Sequence, residues 1–130
     1  MLLGDLAGIA NDSEVTGFAL DHRKVARGNI FGAFRGQRFN GEDFIGEAVK
    51  RGAIAVVARP GVPVEGAAHL AADEPRRLFA ELAARYFEPY PDTIVAVTGT
   101  NGKTSTVELT RQLWRMAGHR SASIGTLGVT

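Results

Sequence analysis

Eight consecutive residues, Thr98-Gly99-Thr100-Asn101-Gly102-Lys103-Thr104-Ser105, set two glycines, a lysine and several hydroxyls in the order that holding a polyphosphate requires. Glycine at 99 and 102 lets the backbone curl so that successive N–H groups point inward at phosphate oxygens. A helix starting at Lys103 adds its own free N–H groups and the positive end of its dipole to the same anion. The Lys103 ammonium can reach the outer phosphates, and the Thr104 hydroxyl is suited to a Mg²⁺ ligand. The general pattern G-x-x-x-x-G-K-[ST] needs glycine at position 97, where Val97 stands, so this is a tighter form of the loop. A bare G-K-T is common by chance, and its plain reading is a helix start with a solvated lysine. Here the preceding strand, the two glycines and the following helix all agree with phosphate binding.

The elements that must position this loop can be read from the flanking residues. Thr93–Val97 (T-I-V-A-V) is continuously apolar, as strands buried on both faces are. A helix is expected from about Lys103 to Ala117, with Leu109, Leu113 and Met116 inward and Trp114 on a flank. Gly118 closes it, and Ser121–Gly125 starts the next strand, which makes one βαβ unit. Upstream, Val15–Leu20 and Asn29–Phe34 read as strands, the second entered through the turn Arg27-Gly28. A polar loop, Arg35–Gly41, leads into a helix over Glu42–Arg51, with Phe44, Ile45, Ala48 and Val49 on one face and Gly52 as its cap. Ala53–Ala58 is a buried strand, and Pro60–Pro63 breaks the chain. Asp73 is the expected cap of a longer helix that carries Pro75 in its first turn. Leu78, Phe79, Leu82, Ala83, Tyr86 and Phe87 give that helix a core-facing stripe, and Glu74–Arg85 alternates charge signs as a solvated face does. Glu88-Pro89-Tyr90-Pro91 ends it. The fold class is α/β, with one domain over residues 1–90 and the start of a second over 91–130.

Composition excludes several classes. The 15 basic and 14 acidic residues nearly cancel, so charge gives no reason to expect a nucleic-acid or membrane-surface partner. Cysteine is absent, which removes disulfides and thiolate metal sites and fits a reducing cytoplasm. Met1–Leu6 has no basic n-region or long apolar core, so no signal peptide is expected, and no apolar run approaches the roughly 20 residues of a membrane span. His69 and His119 have no metal-ligand partners at helical spacing and read as surface or packing residues. Taken singly, Asp21 and Arg23 read as a structural pair, Arg38 as solvated and Phe39 as a loop anchor.

The loop T-G-T-N-G-K-T-S-T after I-V-A-V resembles the nucleotide loop of the Mur ligases, which add amino acids to the UDP-muramyl precursor of bacterial peptidoglycan. Ligases that elongate folates or polymerise cyanophycin have similar loops. The segment Leu20–Ala33 (L-D-H-R-K-V-A-R-G-N-I-F-G-A) is similar to the pattern D-S-R-x-V-x-x-G-x-x-F-x-A of the UDP-substrate domain in the third and fourth ligases of that family. Gly36–Gly41, Phe44-Ile45, Ala48 and Gly52-Ala53 continue the likeness. Ile124-Gly125-Thr126-Leu127-Gly128 favours the third ligase over the fourth.

The resemblance implies a small UDP-substrate domain over residues 1–90, followed by the first, incomplete βαβ unit of a P-loop nucleotide-binding domain over 91–130. It implies an ATP-dependent amide ligase that joins diaminopimelate or lysine to UDP-N-acetylmuramoyl-L-alanyl-D-glutamate through an acyl phosphate. Gly99, Thr100, Asn101, Gly102, Lys103, Thr104 and Ser105 then hold ATP. Lys103 stabilises the transferring phosphoryl group, and Thr104 helps hold Mg²⁺. Leu20 and His22 fall at positions that contact the uridine end of the substrate, and Gln37, Arg38 and Phe39 form the next such loop. His22 departs from the family's usual serine, which changes the donor offered there. A cytoplasmic enzyme, monomeric at full length, is expected. Beyond residue 130 the resemblance places the remaining catalytic residues, so the chain alone is expected to form no amide and to expose apolar surface. A fourth-ligase or folate-type ligase, and a non-catalytic UDP-substrate-binding module, remain the alternative readings.

Overall fold

Residues Ala55–Ala58 (A-V-V-A) are apolar at every position, which suits a strand covered on both faces rather than one facing water. In the computed structural model, which describes residues 1–130, they form a central strand of a four-stranded parallel sheet. The first ninety residues, Met1–Tyr90, are one compact unit and Pro91–Thr130 another.

The first unit begins with helix α1 (Leu3–Ala7). Strands β1 (Gly17–Ala19) and β2 (Asn29–Gly32) follow, then helix α2 (Ile45–Lys50), strands β3 (Ala55–Ala58) and β4 (Ala68–Ala71), and helix α3 (Pro75–Tyr86). The sheet order is β1-β2-β3-β4, all parallel, with Phe31 opposite Ala19 on one side and Val56 on the other. Because successive strand residues point to opposite faces, the sheet divides its core in two. Phe31, Val56 and Ala58 pack with Val25, Ile45 and Ala48. Ile30, Ala55 and Val57 pack with Leu3, Leu6, Leu70 and Leu82 on the face covered by α1 and α3. Asn29, buried at the head of β2, fastens the turn before it, accepting from the Ala26 N–H at 3.0 Å and donating to Thr16 Oγ1 at 3.2 Å.

Several boundaries differ from the sequence reading for local reasons. The helix expected over 42–51 is a 3₁₀ turn, Gly41–Phe44, continued by α2, because the Asn40 side chain accepts from the Glu42 N–H and tightens the entry. Asp73 does not cap α3; Glu74 holds that position with no side-chain cap, and Pro75 opens the helix. Helix α1 and strand β4 are additions, the latter a short edge strand that exists through its pairing with β3.

The second unit carries helix α4 (Lys103–Met116) and a hairpin of β5 (Ile124–Gly125) and β6 (Gly128–Val129). Residues 93–97 form no strand, and β5 pairs antiparallel with β6, so the expected βαβ unit has its helix but not its parallel strands. Parallel strands need neighbours to bond, and this unit offers none. Leu109, Leu113 and Met116 are consequently exposed rather than inward, as are Ile94 and Val95. The residue that α4 buries is Arg111, held by Glu108. Trp114 is half-buried.

Candidate functional site

The Thr98–Ser105 loop of the second unit has the backbone its glycines suggest. Gly99 has φ 149° and Gly102 φ 75°, and no atom lies within 4 Å of a Cβ built on either, so conformation rather than crowding demands glycine there. Gly102 occupies the N-cap of α4 and no side chain caps that end. The first-turn N–H groups are thus left for an anion. Lys103 Nζ folds back and donates to the Gly99 carbonyl oxygen, so its ammonium lies over the loop. Thr104 Oγ1 lies 3.2 Å from Thr126 Oγ1, and both line a cleft of about 160 Å³ with Lys103, Val97 and Glu108. Thr100, Asn101 and Ser105 are exposed around it.

These groups fit a nucleotide phosphate: a cation, an uncapped helix end and a hard oxygen donor converge. No three His, Cys, Asp or Glu residues come together to hold a metal, so Thr104 offers Mg²⁺ one hydroxyl, with phosphate oxygens and water as the natural remaining ligands. Hydrogen bonds from Arg111, then Gln112, hold the Glu108 carboxyl down at about 2. The sequence reading left Thr126 and Glu108 out of this site, and the only signal for Thr126 was its place in the Ile124–Gly128 segment.

A second cleft, in the first unit, opens beyond the carboxyl ends of β1 and β2, where parallel α/β sheets bind ligands. Leu20, Gly32, Phe34, Phe39, Gly41 and Arg76 line it, around about 160 Å³. Leu20 and Phe39 are 58% and 49% exposed, large apolar side chains left uncovered at a concavity. Gly32 makes the room: a Cβ there would lie 2.8 Å from Leu20 Cδ2 and from the Phe34 ring.

Of the residues expected to bind substrate, the structure brings Leu20 and Phe39 to this cleft. Gln37 and Arg38 are exposed on the adjoining loop, outside the lining. His22 is buried behind the loop. Its ring stacks on Phe44, with centroids 4.1 Å apart, and Phe44 stacks on Phe39 at 4.7 Å. His22 Nε2 lies 3.6 Å from Glu47 Oε2, while Nδ1 is buried with no hydrogen-bond partner. The imidazole therefore supports Phe39 through a ring stack. The loop itself is pinned by Glu42, which accepts from Arg59 at 2.7 and 3.0 Å, and by a bridge between Arg35 and Asn40.

Asp21 and Arg23 form a bidentate pair at 3.0 and 2.8 Å. The hydrogen bonds from the Arg23 side chain, first, and its backbone N–H hold the Asp21 carboxyl at about 2, below its ordinary 3.8. A depressed carboxyl stabilises the fold above its unfolded value, and that contribution is lost as pH falls through the folded one. Arg23→Ala should therefore raise the Asp21 titration midpoint toward 3.8, read by carboxyl NMR shifts. An unmoved midpoint would show that the backbone N–H alone holds it.

No family model matches the chain. Among curated proteins, the UDP-N-acetylmuramoyl-L-alanyl-D-glutamate–2,6-diaminopimelate ligase of Zymomonas mobilis is 62% identical over 118 residues, covering 91% of this chain and 24% of the relative. The chain is homologous to part of a Mur ligase. The ligase of the same name from Mesorhizobium japonicum is 46% identical over 138 residues, covering 99% of this chain and 28% of its own length. The solved structure of a diaminopimelate ligase so named superposes on the whole chain with TM-score 0.79 at 30% identity, using 28% of that molecule. The MurF ligase of Thermotoga maritima in complex with ADP matches 80% of this chain with TM-score 0.65 at 33% identity, using 24% of its own. The chain thus spans about a quarter of the length of the curated relatives it matches.

Proposed function

We propose that the chain supplies the UDP-substrate cleft and the nucleotide loop of an ATP-dependent ligase that adds diaminopimelate to UDP-N-acetylmuramoyl-L-alanyl-D-glutamate. The observation that carries this reading is the 62% identity with the Zymomonas mobilis ligase across nearly the whole chain. The intact phosphate loop, with Lys103 and Thr104 both present, supports it.

When bound, ATP supplies the phosphoryl group that turns the substrate carboxylate into an acyl phosphate, from which the incoming amine displaces phosphate to form the amide. The chain's own residues position and neutralise. The loop N–H groups from Gly99 to Ser105 and the uncapped start of α4 hold the phosphates. Lys103 exchanges the Gly99 carbonyl for phosphate oxygens and offsets their charge. Thr104 offers its hydroxyl to Mg²⁺. In the first unit, Leu20 and Phe39 take the flat faces of the uracil, and Gln37 and Arg38 reach the substrate from the loop. His22 acts here through the ring stack beneath Phe39.

A chimera tests the proposal. The matched stretch of the Zymomonas mobilis ligase is replaced by the corresponding residues of this chain, and ADP formation is followed with UDP-muramyl-dipeptide and diaminopimelate. Diaminopimelate-dependent ADP formation is expected. A folded chimera that binds the UDP substrate but forms no amide would favour the binding module and sink the ligase reading.

A further inference from the structure

The cleft beyond β1 and β2 has one charged side chain in its lining, Arg76, and it comes from α3, far in sequence from the loops that resemble substrate-binding segments. Its guanidinium is already placed. Nη2 donates to the Arg35 carbonyl at 2.9 Å, and the charged carbon sits 5.0 Å from the centroid of the Phe34 ring. These contacts use one of the group's five N–H donors. Arg77, the next residue, is taken by Glu74 and Glu81, and Arg59 by Glu42, whereas no carboxylate pairs with Arg76. An unneutralised, pre-positioned cation therefore faces a cleft whose other side chains are apolar or absent.

The walls and the cation suit different parts of one ligand. Leu20, Phe34 and Phe39 offer surfaces to a planar base and nothing to a phosphate. Arg76 offers a planar fork of donors that matches phosphate oxygens. We infer that Arg76 binds the diphosphate of the UDP-linked substrate while Leu20 and Phe39 take its base. The inference rests on the substrate reading above and adds to it a residue from another element.

The test is to titrate the 130-residue chain with UDP and with uridine, followed by NMR. Arg76→Met keeps much of the side chain's stem over Phe34 and removes the charge. It should weaken UDP roughly tenfold or more, the loss of one charge-assisted contact, and leave uridine nearly unchanged. Arg76→Lys should recover part of the UDP affinity. Unchanged UDP affinity in Arg76→Met, or equal losses for UDP and uridine, would overturn the inference while leaving the substrate reading standing. A wild-type chain that binds neither ligand would overturn the substrate reading, and this inference with it. Amide chemical shifts of the free variants check that the sheet is intact.

Discussion

Lys103→Ala is expected to cost the chimeric ligase roughly 10²–10³ in turnover, the scale seen when one pre-placed charge-stabilising group is removed from an active site. The argument starts from the loop. Glycine at 99 and 102 gives backbone N–H groups an inward curl, but those are dipoles. Lys103 is the one formal positive charge within the loop, and its ammonium already lies over it, on the Gly99 carbonyl. Alanine keeps the helix start, since its propensity there is at least as good, so the fold of α4 should survive. What is lost acts on charge that grows as the phosphoryl group transfers. The fall should therefore appear in kcat more than in KM for the UDP substrate, whose proposed cleft lies in the other unit. Lys103→Arg should not restore turnover fully, because a planar fork is not a compact ammonium. Nearly wild-type kcat in Lys103→Ala would remove this residue from the reaction.

The backbone of the Thr98–Ser105 loop was legible because the need for glycine at 99 and 102 is local, and both adopt positive φ. The same holds for β3, whose unbroken apolar run requires cover on both faces, and for the Ile30-Phe31 pair of β2. Strand β4 was not legible: Ala68–Ala71 includes a histidine and is a strand only because β3 offers it an edge. The opposite failure occurs at Thr93–Val97, apolar enough for a strand but without a neighbour to bond. At the sites, contacts across the chain escaped the reading. Thr126 meets Thr104 from 22 residues away. Arg76 looked like one charge among many on a solvated helix face, and only the packing of α3 beside Phe34 turns it toward the cleft. His22 was placed among the substrate-contacting positions by its segment, and its burial and stacking on Phe44 were not legible there. Position in a motif specifies which loop a residue occupies, while packing decides which way it faces.

Phe31→Ala is expected to remove a large part of the stability of the first unit. Phe31 is fully buried at the middle of β2, with Ala19 and Val56 as sheet neighbours and Val25, Ile45 and Ala48 in the same core cluster. Two of these neighbours, Ala19 and Ala48, are alanines, small side chains that cannot move in to fill the space, so the cavity should persist. Emptying such a site costs about 3–5 kcal/mol, against the roughly 5–15 kcal/mol that holds a domain together. Urea unfolding followed by circular dichroism should show the midpoint fall by roughly a third or more. Leu113→Ala on α4 is the matched control: that side chain is 63% exposed, so its removal should change stability by no more than about 0.5 kcal/mol. The two outcomes together test where the core lies. A small effect at Phe31 would contradict the two-faced parallel sheet. A large effect at Leu113 would mean that α4 packs against a surface it does not meet in this structure. The consequence reaches the proposed function, because Gly32, the next residue along β2, lines the cleft proposed to take UDP. Any Phe31→Ala molecules that remain folded should therefore bind UDP more weakly, through a displaced strand end rather than a lost contact.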